Sequence, residues 1–322
     1  MTAPGSRRAT PREGLEIDVR PRWPYRLPRS GGGDAVMRVR RGVVSRLLHV
    51  DGAPVLVHAW QRRDGDLVLR AVPAAGHTGS AVPAADHTGA GCLTLAIERM
   101  RFALGVDDDY RELYDEFRRD RLLGSAIRRL RWHRPRRRPW AWEALAWSVT
   151  KQLIESSRAA QIQRRMVFRW GRRWSAADGA TLRDVPTAEL IAARAPAELA
   201  ATDLAPARAL ALIRAAREVA AGRVDPSQAA DDRRLLAIRE IGPWTVQCLG
   251  LYGRGEPDSL PAGDLGFIKL VGRLAGLGRR ATVEEVEEFF QPYAPYRGIA
   301  GSFVLAAHHK AVAAGPPLRL AA

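Results

Sequence analysis

Residues 235–269 read LLAIREIGPWTVQCLGLYGRGEPDSLPAGDLGFIK. Apolar residues at helical spacing run up to Ile238. Arg239-Glu240-Ile241-Gly242-Pro243 interrupt them, and a second apolar run starts at Trp244. The pattern predicts helix, tight turn, helix over 235–252, with Gly242 allowing the turn and Pro243 opening the second helix. The first turn of that second helix presents backbone N–H groups, which bind phosphate oxygens well. Pro243 carries no N–H, so Gly242, Trp244 and Thr245 are the expected donors. An ordinary helical hairpin would look the same. Asp264 follows 22 residues beyond Gly242, in Leu-Pro-Ala-Gly-Asp-Leu-Gly before the helical run FIKLVGRL. There it suits a helix N-cap, or a carboxylate held at the mouth of a site.

Upstream, 43–50, 54–62 and 66–72 are rich in Val, Leu and Ala. Asp51-Gly52 and Asp64-Gly65 separate them. Asp-Gly between such runs predicts hairpins, hence a three-strand antiparallel meander. The sequence then duplicates ten residues, AVPAAGHTGS (71–80) and AVPAADHTGA (81–90). This reads as a duplicated loop, and His77 and His87 alone are too few to hold a metal. From Leu93 the periodicity is helical. Leu145, Val149 and Leu153 share one face, Ile162, Met166 and Trp170 another. Pro206 opens a helix ending at Gly222, and Thr282 with Glu285 forms a capping-box pattern.

The expected architecture is α+β. A disordered basic arm occupies 1–20, a small antiparallel β-rich domain 21–92, and an all-α body 93–322. No apolar run of about 18 residues predicts a membrane span. The N-terminal residues lack a secretory h-region. Two cysteines, Cys92 and Cys248, exclude a disulfide framework and a four-cysteine metal site. A reducing cytoplasm is expected, with no cofactor and no metal.

The chain carries 51 basic and 35 acidic residues, a net charge of +16. Lysines stand only at 151, 269 and 310, so the surplus is almost all arginine. Such a surplus points to a polyanion. Seven arginines fall in 128–138, RRLRWHRPRRR, with Trp132 among them and no acid. That run reads either as a phosphate-tracking strip or as a solvated linker.

Taken together, IREIGPWT followed by LPAGDLG, the segment Lys151-Gln152-Leu153-Ile154, DLAPARALALIRAAREVAAG, and APYRGIAGSFVLAAHH resemble the helix-hairpin-helix DNA glycosylases. The branch they resemble most is DNA-3-methyladenine glycosylase II, which also carries a β-rich domain ahead of its helices. The resemblance implies a monofunctional enzyme of base excision repair that flips out and hydrolyses alkylated purines of the 3-methyladenine and 7-methylguanine type. Asp264 matches the catalytic carboxylate and Leu153, beside Gln152, the wedge that fills the vacated stack. Arg239, Ile241, Gly242 and Thr245 match the phosphate-gripping hairpin, and Trp244, Cys248 and Leu305 the base pocket. Bifunctional relatives carry a nucleophilic Lys at the place of Trp244, so strand cleavage by that route is not expected. The implied partner is double-stranded DNA with damaged bases, bound by a monomer in the cytoplasm at the nucleoid.

Three departures stand out. Glu240 sits where the family has Gly, and Cys248 and Leu305 replace stacking aromatics, for which Tyr252, Trp147 or Trp60 could substitute. They leave open two other readings: a non-catalytic DNA-binding protein, and a glycosylase for deaminated or oxidised bases.

Overall fold

The computed structural model describes residues 7–10, 14–74, 89–175 and 181–314. The strands are β1 (Arg7–Thr10), β2 (Gly14–Val19), β3 (Met37–Arg40), β4 (Val43–Val50), β5 (Ala53–Gln61) and β6 (Leu67–Pro73). They form one antiparallel sheet in the order β1-β2-β6-β5-β4-β3. Its centre is the expected meander. At the first turn Asp51 and Gly52 both take positive φ, 49° and 84°, as a two-residue hairpin requires.

The sheet extends further than periodicity suggested. Val19 and Leu67 pair, as do Leu15 and Ala71, so β2 lies in what was expected to be a disordered arm. The pairing satisfies the outer backbone of β6, which six short residues could not announce locally. Most of the duplicated loop, including His77 and His87, falls outside the described residues.

Helix α1 (Ala90–Leu104) ends on Gly105 at φ 63°. It belongs with the sheet, because Leu93, Ile97, Met100 and Leu104 share a core with Val44, Val57, Leu67 and Leu69. The body comprises α2 (Arg111–Phe117), α3 (Leu123–Arg129), α4 (Ala141–Lys151), α5 (Ser156–Trp170), α6 (Ala188–Ala192), α7 (Pro196–Ala200) and α8 (Pro206–Ala220). It continues through α9 (Asp232–Leu236), α10 (Pro243–Leu249), α11 (Leu265–Leu274), α12 (Val283–Phe290) and α13 (Arg297–Ala314). It is not purely helical: β7 (Arg173–Ser175) pairs with β8 (Thr181–Arg183) between α5 and α6. The capping box of α12 forms, with Thr282 N–H donating to Glu285 at 2.7 Å and Glu285 N–H to Thr282 at 3.2 Å.

Two cores build the body. One gathers α4, α5 and α8 around Leu145, Trp147, Ile162 and Leu212. The other gathers α3, α11, α12 and α13 around Ile127, Phe267, Phe290 and Phe303. Tyr252 packs against both, so the segment after α10 lies at their junction. Helix α4 is buried on all sides from Glu143 to Thr150, the expected state of a helix at the centre of a body.

A buried ionic cluster ties sheet to body. Arg46 on β4 donates to Glu143 on α4 at 2.5 Å, and Arg138 bridges Glu143 at 3.1 Å and Asp34 at 2.6 Å. Asp34 also accepts from the Trp147 indole at 3.1 Å. Burial raises the Glu143 carboxyl above its usual range, against the pull of Arg46 and Arg138. Burial acts on Asp34 in the same sense, but Arg138 and then Arg46 outweigh it, and its carboxyl stays below the usual range.

Candidate active site

Asp264 is the N-cap of α11, and its Oδ1 accepts from Gly266 N–H at 2.7 Å. That bond fixes the carboxylate, and Oδ2 has no partner among the described residues. Two of the residues expected to line the base pocket flank it. A Cβ on Gly263 would lie 3.5 Å from the Trp244 side chain, so that indole stands beside the Asp264 turn. Its N–H is buried and has no hydrogen-bond partner among the described residues. A Cβ on Gly266 would meet both Leu305 methyls at 3.4 Å. Leu305 comes that near because α13 lies tight on α11: a Cβ on Gly301 would sit 2.9 Å from Phe267.

Cys248 is buried on α10, and Ser148 on α4 donates its hydroxyl to the Ala144 carbonyl at 2.7 Å. Burial, then the nearby Asp264 charge, pushes its thiol up, so it is present as the neutral thiol. Of the aromatics that could replace the missing stackers, Tyr252 lies close enough to feel both Asp264 and Cys248. Trp147 is committed to Asp34 in the core, and Trp60 sits on β5 opposite Val68.

The wedge candidate departs from the expected helix face. Helix α4 ends at Lys151, and Leu153 stands in the following turn at φ 56° with 83% of its surface exposed. An exposed leucine in the left-handed region costs about 1–2 kcal/mol in backbone energy. Such strain marks a candidate functional position. Gln152 holds this turn, since its Nε2 donates to the Glu240 carbonyl at 2.6 Å and to Thr245 Oγ1 at 2.9 Å. The turn carrying Leu153 and the hairpin are thus fastened to each other.

The hairpin itself is rearranged relative to expectation. Gly242 is extended at φ −111°, and the left-handed residue is Glu240 at φ 74°. A glycine at position 240 would therefore relieve strain. Glu240→Gly is expected to stabilise the fold by up to about 1 kcal/mol in denaturant titration, and Glu240→Ala, which keeps a Cβ, to bring no gain. Ile241 and Thr245 are buried, and Thr245 N–H is engaged by the Gly242 carbonyl at 3.0 Å. Gly242, whose Cβ would meet nothing within 4 Å, and the largely exposed Arg239 face open space.

The arginine run divides. Arg134, Arg137 and Arg138 are spent on Gly105 O, Asp108 and the Asp34–Glu143 pair. Arg128 donates to Arg118 O at 2.6 Å. The run is therefore partly structural, which its composition did not show. Arg129, Arg131 and Arg136 remain exposed, and Trp132 carries the Arg26 guanidinium 3.6 Å over its ring.

Lys151 stood out in the sequence only as part of a motif. It lies partly buried, three residues after Ser148 on the same face of α4, and near Cys248 and Asp264. Among the described residues no group of three or more His, Cys, Asp or Glu could hold a metal ion. No helix among them is long and apolar enough to cross a membrane.

Residues 125–295, more than half of the chain, match the HhH-GPD superfamily base excision DNA repair protein family. A Bacillus subtilis DNA-3-methyladenine glycosylase is 26% identical over 203 residues. The match takes in 61% of this chain and 66% of that relative, just under two thirds of its length. The structure of an Archaeoglobus fulgidus 3-methyladenine DNA glycosylase superposes with a TM-score of 0.73 at 19% identity, over 90% of this chain and 98% of that one. A Clostridium acetobutylicum 8-oxoguanine glycosylase/lyase in complex with DNA superposes at 0.70 with 12% identity, over 96% and 98%. At these identities the two superpositions speak for the fold alone.

Proposed function

Since the chain belongs to the HhH-GPD superfamily of base excision DNA repair proteins, we propose that it is a hydrolytic DNA glycosylase acting on alkylated purines in duplex DNA. The carrying observations are Asp264, which caps α11 through Oδ1 and leaves Oδ2 open, and Leu153, strained and exposed beside the hairpin. A base within duplex is shielded, so it must leave the stack at a cost of about a few kcal/mol. Leu153 fills the gap and offsets that cost. Departure of the base breaks the C1′–N bond, with the electron pair leaving on the base. The sugar becomes cationic, as in other glycoside hydrolysis. Asp264 Oδ2 stabilises that cation and orients water, whose oxygen bonds to C1′ while its proton passes to the carboxylate or to solvent. A purine alkylated at N3 or N7 is already cationic and leaves without a general acid, so one carboxylate suffices. Trp244 carries no amine, so strand scission through residue 244 is absent from this mechanism.

The test is an excision panel on identical duplexes carrying 3-methyladenine, 7-methylguanine, hypoxanthine or 8-oxoguanine. Preferred release of the methylated purines supports the reading. Preferred release of hypoxanthine or 8-oxoguanine moves the substrate class, and DNA binding without any release makes the protein non-catalytic.

Leu153→Gly separates wedge from fold. Relief of the left-handed strain outweighs the flexibility of glycine, so melting temperature is expected to hold or rise slightly. Excision from duplex is expected to fall about tenfold or more, because nothing then fills the stack. Undiminished single-turnover excision removes Leu153 from this role.

Replacing Arg129, Arg131 and Arg136 by Ala is expected to flatten the dependence of log affinity on log salt by about 0.9 for each phosphate no longer neutralised. An unchanged slope assigns the whole run to folding.

A further inference from the structure

Between the sheet with α1 and the helical body lies a cavity of about 230 Å³. Its walls hold seven arginine or lysine side chains and one acid, Asp34. Arg46, Arg134, Arg137 and Arg138 are paired with acids. Arg26, Arg136 and Lys310 have no acidic partner among the described residues. Two of these meet at one ring: the Arg26 guanidinium lies 3.6 Å over Trp132, and the Lys310 amine stands 5.7 Å from the same ring. Like charges gathered on a concave wall repel one another, because the wall excludes part of the screening water.

The cavity runs inward from these exposed side chains to Arg46, whose side chain is only 4% exposed. There the wall is short of acceptors. The Nε atoms of Arg46 and Arg137 are buried and have no hydrogen-bond partner among the described residues. A buried donor on a charged group is costly to leave unpaired. Rim and interior thus ask for the same chemistry, negative charge carrying several acceptor oxygens.

We propose that this cavity binds a small phosphate-bearing anion, either a free inorganic phosphate or pyrophosphate or the phosphate chain of a free nucleotide. Arg26 and Lys310 hold it at the rim, and Arg46 and Arg137 hold it within. Phosphate oxygens suit the arginine fork. Trp132 keeps the two rim cations in place through its ring face, so less side-chain freedom is lost on binding. Duplex DNA can touch the exposed cations, but a rod of that width does not reach Arg46, whereas a small anion does. None of Asp264, Trp244, Cys248, Leu305 and Leu153 lines the cavity, and the inference does not rest on the glycosylase reading. The bound anion bridges Arg26 and Arg46 on the sheet side to Arg137 and Lys310 on the body side, so it tightens the junction between them.

The experiment is calorimetric titration of the full chain at fixed ionic strength. Sodium phosphate, sodium pyrophosphate, ATP and a short undamaged duplex serve as separate probes, with chloride as the blank. At least one of the three small anions is expected to bind saturably and to raise the melting temperature. Tighter binding of ATP identifies a nucleotide as the occupant, and binding of phosphate or pyrophosphate without ATP identifies the inorganic anion. Both outcomes support the site. Arg26→Gln with Lys310→Gln is expected to weaken that binding at least about tenfold, since two charge-assisted contacts are lost. Arg40→Gln with Arg63→Gln removes the same charge from exposed positions outside the cavity and is expected to leave affinity within about twofold. All four side chains are exposed, so both double variants are expected to fold. Absence of saturable binding by all three small anions overturns the proposal, as does an affinity that the two double variants change alike. Binding of the duplex alone, abolished by the first double variant, also overturns it and gives Arg26 and Lys310 to DNA.

Discussion

Asp264→Asn should lower single-turnover release of base from alkylated duplex by about a hundredfold to a thousandfold, while leaving melting temperature and duplex affinity in place. The two halves of that expectation come from the same side chain. As an N-cap, Asp264 contributes through Oδ1, which accepts from Gly266 N–H at 2.7 Å. Asparagine caps helices about as well as aspartate and offers the same oxygen, so α11 keeps its start. What asparagine lacks is negative charge at the second position, where the sugar cation develops. Loss of rate with an unchanged fold therefore isolates the electrostatic contribution. Equal release by the two proteins would sink the mechanism, and a fall in rate matched by a fall in melting temperature would reduce Asp264 to a cap.

The largest effect on stability is expected at the ionic cluster between sheet and body. Glu143→Ala leaves Arg46 and Arg138 buried with half their partners gone. Breaking a buried pair this way costs about 3–5 kcal/mol. Replacing Arg46 by Met and Glu143 by Leu together should recover much of that, because no buried charge then lacks a partner on the β4 side. Denaturant unfolding of Arg46→Met, Glu143→Leu and the double variant is the check, and additive losses would show that the two residues act independently. Acid acts on this cluster in two senses. The lowered Asp34 gives stability that is complete above the ordinary carboxylate range and is lost as pH falls through its folded value. The raised Glu143 takes up its proton in the folded state first, which favours the native form as pH falls through its folded value.

The parts that sequence made legible are those whose meaning is local. Asp-Gly pairs mark hairpins because their backbone preferences act within four residues, and Thr282 with Glu285 marks a helix start for the same reason. Asp264 as the cap of α11 and the α+β class belong here too. What escaped depends on distant neighbours. β2 is held by β6 across about fifty residues of chain, and GLEIDV alone is too short to claim a place in a sheet. Periodicity placed Leu153 on a helix face, but the helix stops at Lys151 and the chain turns left-handed. The same local signal that finds a helix has no way to register that its next turn was given up. Glu240 shows the converse: the family's glycine at that place is explained by a φ of 74° that the sequence of this chain conceals.

A repair protein spends nearly all its time over intact bases, and the Gln152 amide bears on how that time is used. One side chain joins the turn carrying Leu153 to the hairpin at Glu240 and Thr245. In the proposed function the probe then has no parked position: wherever the hairpin travels along the backbone, the leucine travels at the same height. Every step of the search is a trial insertion. Patrol is slower as a result, but ground once covered has been read.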